Sequence, residues 1–189
     1  MSGFYQLFLE SVERWPQNVA VEVQREASLE SHTYAELRRM AESMGRWLAE
    51  SGVARGARCA LLGENGARWV AAYLGTLAAG DVAVPLDTAF HADQVAKLLR
   101  DCDASILFVD AKHLGVGRRA TEGLPTRLAL LDAAPEKGDL PHLDAIFATG
   151  PGSFTPAAAA NGSMRLAICA SAWKSGSTPR RASVGPTSR

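Results

Sequence analysis

Residues 58–87, RCALLGENGARWVAAYLGTLAAGDVAVPLD, read as strand, turn, helix, turn, strand, and this reading decides the fold. RCALLG (58–63) is a short apolar run closed by a glycine, the pattern of a strand covered on both faces. Asn65 stands where a cap belongs, ahead of a helix carrying Trp69, Val70, Tyr73, Leu74 and Leu77 and stopped by Gly80. VAVPL (82–86) is the next strand. Pro85 has no N–H to give a ladder, so it marks the strand's end or an edge position.

The same alternation extends in both directions. Upstream, Thr33 and Glu36 fit a capping box, each side chain satisfying a free backbone N–H. Tyr34, Leu37, Met40, Ala41, Met44, Trp47 and Leu48 then recur at spacings of three and four, one apolar helix face. Gly52 follows where a left-handed C-terminal cap belongs. VAVEV (19–23) alternates like a half-buried strand, and the polar REASLESH after it turns the chain back as a hairpin. Downstream, a helix from His91 to Arg100 buries Val95, Leu98 and Leu99, and SILFVD (105–110) and RLALLD (127–132) are strands. The succession predicts an α/β fold, a parallel sheet flanked by helices. PGSFTPAAAANG (151–162) is loop-like and low in complexity.

The 189 residues have room for one domain with a real core, and 47% hydrophobic with 21% charged residues reads as soluble and globular. The formal charge of zero gives no global pull toward nucleic acid or membrane. The balance is uneven: residues 163–189 hold five basic residues (Arg165, Lys174, Arg180, Arg181, Arg189) and no acidic one, leaving residues 1–162 acidic by five charges. The chain therefore divides into a body, 1–162, and a basic tail, 163–189, that is expected to be disordered or aberrant. Cys59, Cys102 and Cys169 have no CxxC spacing, so neither a disulfide framework nor zinc is expected, and a reducing cytoplasm is the default. MSGFYQLFLESVERW lacks the basic-then-apolar order of a signal peptide, and no apolar stretch reaches membrane-spanning length.

Few residues suggest chemistry by themselves. Gly63 and Gly66 lie between strand and helix, where dinucleotide folds hold pyrophosphate. That loop needs three glycines, however, and Glu64 repels anions, so a plain tight turn is expected. His32, His91, His113 and His142 lack metal-ligand spacing and are expected at the surface or in caps. Asp81, Asp87, Asp101, Asp103 and Asp110 all lie near element ends, as capping or solvated carboxylates. No catalytic residue and no metal ligand is assigned.

Longer stretches carry a resemblance. TYAEL opening a helix, GVARGARCALL leading into a strand, WVAAYLGTLAAGDVAVPLD, VAKLLRDCDASILFVD and FLESVERWPQNVAV resemble, in order and spacing, the front of the AMP-forming acyl-CoA synthetases, the adenylate-forming ligases. LPTRLALLD continues the likeness, and LPHLDAIFATG is similar to a helix of the long-chain fatty acid members. The resemblance implies that fatty acid, ATP with Mg²⁺, and CoA are the parent reaction's substrates and cofactors, the acid being activated to an acyl-adenylate and then passed to the thiol. It further implies that WKSGSTPRR (173–181) corresponds to the family's phosphate loop, similar to YTSGTTGxPKG. Ser175, Gly176, Ser177, Thr178 and Arg180 would then be cofactor-binding residues. The loop departs from the pattern: two residues are missing before Pro179, Arg181 replaces a glycine, and Trp173-Lys174 replace Tyr-Thr.

The family's metal-holding glutamate, ribose-binding aspartate and C-terminal lysine have no counterpart in this sequence. A truncated, incomplete N-terminal subdomain is therefore expected. It would be inactive alone, hold no cofactor tightly and self-associate through exposed apolar surface. The alternatives are a non-catalytic nucleotide- or protein-binding module, and an unrelated flavodoxin-like domain.

Overall fold

The computed structural model describes residues 3–25, 28–132 and 140–157. The basic tail 163–189, with the phosphate-loop residues Ser175, Gly176, Ser177, Thr178 and Arg180, lies outside the described residues.

The elements in chain order are α1 (Phe4–Arg14), β1 (Val19–Gln24), β2 (Leu29–Thr33), α2 (Tyr34–Glu50), β3 (Arg58–Leu62) and α3 (Ala67–Ala79). There follow β4 (Val82–Pro85), α4 (Ala92–Asp101), β5 (Ala104–Val109), α5 (Leu114–Thr121), β6 (Arg127–Leu130) and α6 (Leu143–Thr149). β3 to β6 form a parallel sheet in the order β4-β3-β5-β6, while β1 and β2 pair antiparallel as a separate hairpin.

The strand period of two sorts the core into two layers. Cys59, Leu61, Ile106 and Phe108 face Met44, Leu48 and Ala72 of α2 and α3. Ala60, Leu62, Leu107 and Val109 face Val95 and Leu99 of α4 and Ala120 of α5. Cys59 through Leu62 have no exposed surface, as the glycine-bounded apolar run requires. Pro85 is both the last residue of its strand and on an edge of the described sheet.

The helix signals hold at α2. Glu36 N–H donates to Thr33 Oγ1 at 3.2 Å, and Thr33 N–H donates to Glu36 Oε2 at 2.8 Å. The turn after α2 passes through Gly52 at φ +73°, and α3 ends on Gly80 at φ +82°, backbone that L side chains rarely adopt.

Two features of α3 differ from the sequence reading. Its N-cap is Gly66, in extended backbone, and Asn65 makes no capping bond, because the preceding turn is held by Asp110 instead. Its deeply buried face is also the small one, Ala71, Ala72, Gly75 and Ala78 around Leu74, with Trp69 and Tyr73 at the margin. The close approach of α2 explains this: a Cβ on Gly75 would lie 2.5 Å from Met44 Cβ and 2.6 Å from the Ala41 carbonyl oxygen. Trp69 and Tyr73 stack on each other instead, with centroids 5.7 Å apart and planes 7° from parallel.

Helices α1 and α5 were not apparent from periodicity. α1 buries only Tyr5 and Val12 fully, and α5 is interrupted by Gly115 and Gly117. Gly117 lies in a tight packing site, where a Cβ would meet Leu128 Cδ1 and Val109 Cγ1 at 3.2 and 3.3 Å.

Candidate functional site

Three connections meet at the carboxyl end of the sheet: Gly63 after β3, Asp110 after β5, and Leu131-Asp132 after β6. From β3 the chain crosses to β4 on one side, while β5 lies on the other, so the crevice between the β3 and β5 ends is the switch point of the sheet. Doubly wound folds bind their ligands in such crevices. A cavity of about 260 Å³ opens here, lined by Arg25, Glu64, Gly66, Arg68, Lys112 and Asp132 among others.

Asp110 organises this end. Its carboxylate accepts from Glu64 N–H at 2.8 Å and from His113 N–H at 2.8 Å, and lies 2.6 Å from His113 Nδ1. Asp110 and His113 are both buried, so these bonds are shielded from water. Gly63 is pressed against the same group: a Cβ there would lie 2.7 Å from Leu131 Cδ1 and 3.2 Å from Asp110 Oδ2. The turn at 63–66 is therefore a packed structural turn, with the Glu64 N–H engaged by a carboxylate.

Charges around the cavity are matched in pairs. Lys112 pairs with Glu64, whose carboxylate raises the ammonium's pKa. Arg68 donates from Nε to Asp144 Oδ1 at 2.8 Å and lies 3.9 Å from Glu30, and its partner Asp144 raises its pKa. Glu30 also takes His32 at 3.2 Å and Arg25 at 3.0 Å, and these, His32 foremost, hold its carboxyl below the usual range. A second cavity of about 240 Å³ lies beside the first, lined by Glu30, His32, Arg39, Arg68, Asp144 and Phe147 among others.

The histidines and aspartates mostly serve the element ends, as their positions suggested. The His91 N–H donates to Gln94 Oε1 at 2.9 Å, and His142 accepts from Ala145 N–H at 3.3 Å. His113 departs from the surface expectation, because Asp110 draws its ring inside. Asp87 accepts from Ala89 N–H at 2.9 Å, and the buried Asp81 accepts from Gly56 N–H at 2.8 Å. Burial beside Asp81 pushes the Cys59 thiol up to about 12, which leaves it protonated and unreactive at neutral pH. Among the described residues, no three His, Cys, Asp or Glu side chains converge as ligands. No described helix is long and apolar enough to cross a membrane. Sequence reading missed Arg68 and its partner Asp144; they lie 76 residues apart, and no local spacing announces such a pair.

The sequence matches the AMP-binding enzyme profile over residues 8–180, most of its length. The chain belongs to the AMP-binding enzyme family. It is 32% identical over 143 residues to tyrocidine synthase 3 of Brevibacillus parabrevis, a stretch that is 74% of this chain and 2% of that protein. Its fold matches a benzoate CoA ligase from Burkholderia xenovorans with a TM-score of 0.69 and 21% identity, covering 86% of this chain and 31% of the ligase. A Mycobacterium tuberculosis fatty acyl CoA synthetase matches with a TM-score of 0.64 and 20% identity, covering 85% of this chain and 30% of that one. The four-stranded α/β sheet thus corresponds to the N-terminal part of the adenylate-forming fold. The chain spans under a third of the length of these two solved relatives and about a fiftieth of the curated one.

Proposed function

We propose that this chain supplies the N-terminal part of an ATP-dependent, AMP-forming ligase that activates a fatty acid to its acyl-adenylate and passes it to CoA. The observation that carries the reading is the unbroken family match over residues 8–180, laid on the β3–α3–β4–α4–β5 framework. Fatty acid is favoured among carboxylates by the segment 140–150, which resembles the long-chain members and folds as helix α6. The family match reaches residue 180, which supports assigning Ser175, Gly176, Ser177, Thr178 and Arg180 to the ATP phosphates. Hydroxyls, glycine and a guanidinium suit that task, and ATP would bring its own Mg²⁺.

In-line attack on the α-phosphate depends on positioned charges, and this chain covers only 31% and 30% of the two solved structures. We therefore propose that residues 1–162 form a scaffold, that the basic segment 163–189 carries an aberrant, degenerate form of the family's phosphate loop, and that the chain alone is inactive in the cytoplasm. Reading the coding DNA past codon 162 in all three frames tests the tail. No complete Y-T-S-G-T-T-x-x-P-K-G in another frame is expected, and one found there would contradict the assignment of residues 175–180 to the phosphates.

The function itself is tested by a chimera. Residues 1–157 replace the matching part of the M. tuberculosis fatty acyl CoA synthetase, and acyl-adenylate formation is followed. Retained turnover of fatty acids is expected. A chimera that folds and binds ATP yet forms no fatty acyl-adenylate would overturn the reading.

A further inference from the structure

The β1–β2 hairpin is attached to the body in an unusual way. It has no ladder to the four-stranded sheet, and a two-stranded hairpin is marginal on its own. Its apolar footing is small: Ala20 and Val21 touch the cluster around Tyr5 and Leu37, while Val19 and Leu29 are 52% and 55% exposed. Its base is pinned at both strands, by Tyr34 N–H to the Asn18 carbonyl at 3.0 Å and Ala35 N–H to the Pro16 carbonyl at 2.9 Å.

What holds the outer half is charge. Glu30 of β2 binds Arg25 at 3.0 Å and His32 at 3.2 Å, and faces Arg68 of α3 at 3.9 Å. Arg68 in turn forks onto Asp144 of α6 at 2.8 and 3.4 Å. Asp144 is fixed to the body because its neighbours Leu143 and Ile146 are buried in the main core. Among the described residues, the outer half therefore reaches the body through Glu30 to Arg68 and through Arg25, whose Nη2 stands beside Gly66.

Both cavities are lined in part by the hairpin and by Arg68. Arg68 lines both; Arg25 lines the first, and Glu30 and His32 line the second. Hairpin residues thus border both spaces, of about 260 and 240 Å³, and Arg68 borders each of them. We propose that β1–β2 is a strap latched by the Glu30–Arg68–Asp144 network, and that its release swings the outer half away and joins the two cavities into one groove at the carboxyl end of the sheet. The network charges are between 26% and 45% exposed, so salt reaches them and weakens the latch. The sheet, held by buried apolar layers, does not share that sensitivity.

Amide hydrogen exchange on the intact chain, at about 0.05 M and about 1 M NaCl, reads the latch directly. The amides of β1 and β2 are expected to exchange roughly tenfold faster at high salt while those of β3 and β5 keep their rates. Arg68→Gln should make the hairpin fast at both salt concentrations. Should that variant not fold, Glu30→Gln, on the exposed side of the network, gives the same reading. Hairpin amides that exchange in step with the sheet, or that ignore both salt and the substitutions, would overturn the proposal.

Discussion

Asp81 shows how a single side chain joins distant backbone. It is buried, and its carboxylate accepts the N–H of Gly56, closing the loop before β3 at a glycine with φ +83°. Burial raises its pKa above the usual carboxylate value, against the lowering effect of the neighbouring backbone N–H groups and Arg55. An acid whose folded pKa is raised contributes stability below its unfolded pKa and loses it as pH rises through the folded value. The ionised form is thus the strained one at neutral pH.

Asp81→Asn keeps the acceptor without the charge. It should raise the thermal midpoint at pH 7 while leaving it nearly unchanged near pH 3, read by calorimetry at both. Asp81→Ala leaves the Gly56 N–H unpaired and should lose about 1–3 kcal/mol at either pH. An Asn variant less stable than the parent at pH 7 would show that the charge is needed. At this scale the sequence was half legible. Asp81 and Asp110 were readable as carboxylates at element ends, but the N–H groups they serve lie 25 and 46 residues away. Only folding reveals which end is capped.

At the scale of elements, the local grammar was plain and the packing was not. The Thr33–Glu36 box and the glycines at 52 and 80 set helix limits by backbone chemistry that acts within a few residues. The buried face of α3 depends on its neighbour instead. Tight contact with α2 selects Gly75 and the alanines, and the larger Trp69 and Tyr73 are displaced to the rim although their periodicity looks like a core stripe.

Gly75→Ala isolates this competition. Alanine gains about 1 kcal/mol in helix propensity, but its Cβ would overlap Met44 Cβ and the Ala41 carbonyl. Overpacking costs typically about 1–3 kcal/mol, and backbone cannot rotate aside as a side chain can. A net loss is expected in chemical denaturation, larger still for Gly75→Val. A gain in stability would mean that the two helices separate easily.

Across the whole molecule, the strand-helix succession made the parallel sheet legible before any coordinates, because period and glycine punctuation encode it. The substrate was not legible, since the described residues build a scaffold and a paired-charge crevice rather than a pocket for an acyl chain. The scaffold leaves Phe4, Leu7, Trp15, Val19 and Leu29 between 45% and 55% exposed. We propose that they drive self-association. Sedimentation velocity should show mass rising with concentration, and Leu7→Glu should suppress the rise. A monomer at every concentration would count against it.

The account rests on the division between this scaffold and the ATP chemistry of the larger fold. ATP–pyrophosphate exchange by the purified chain, with Mg²⁺ and fatty acids, tests that division most directly. Exchange no faster than in the absence of protein is the predicted result, and fatty-acid-dependent exchange by this chain alone would contradict it.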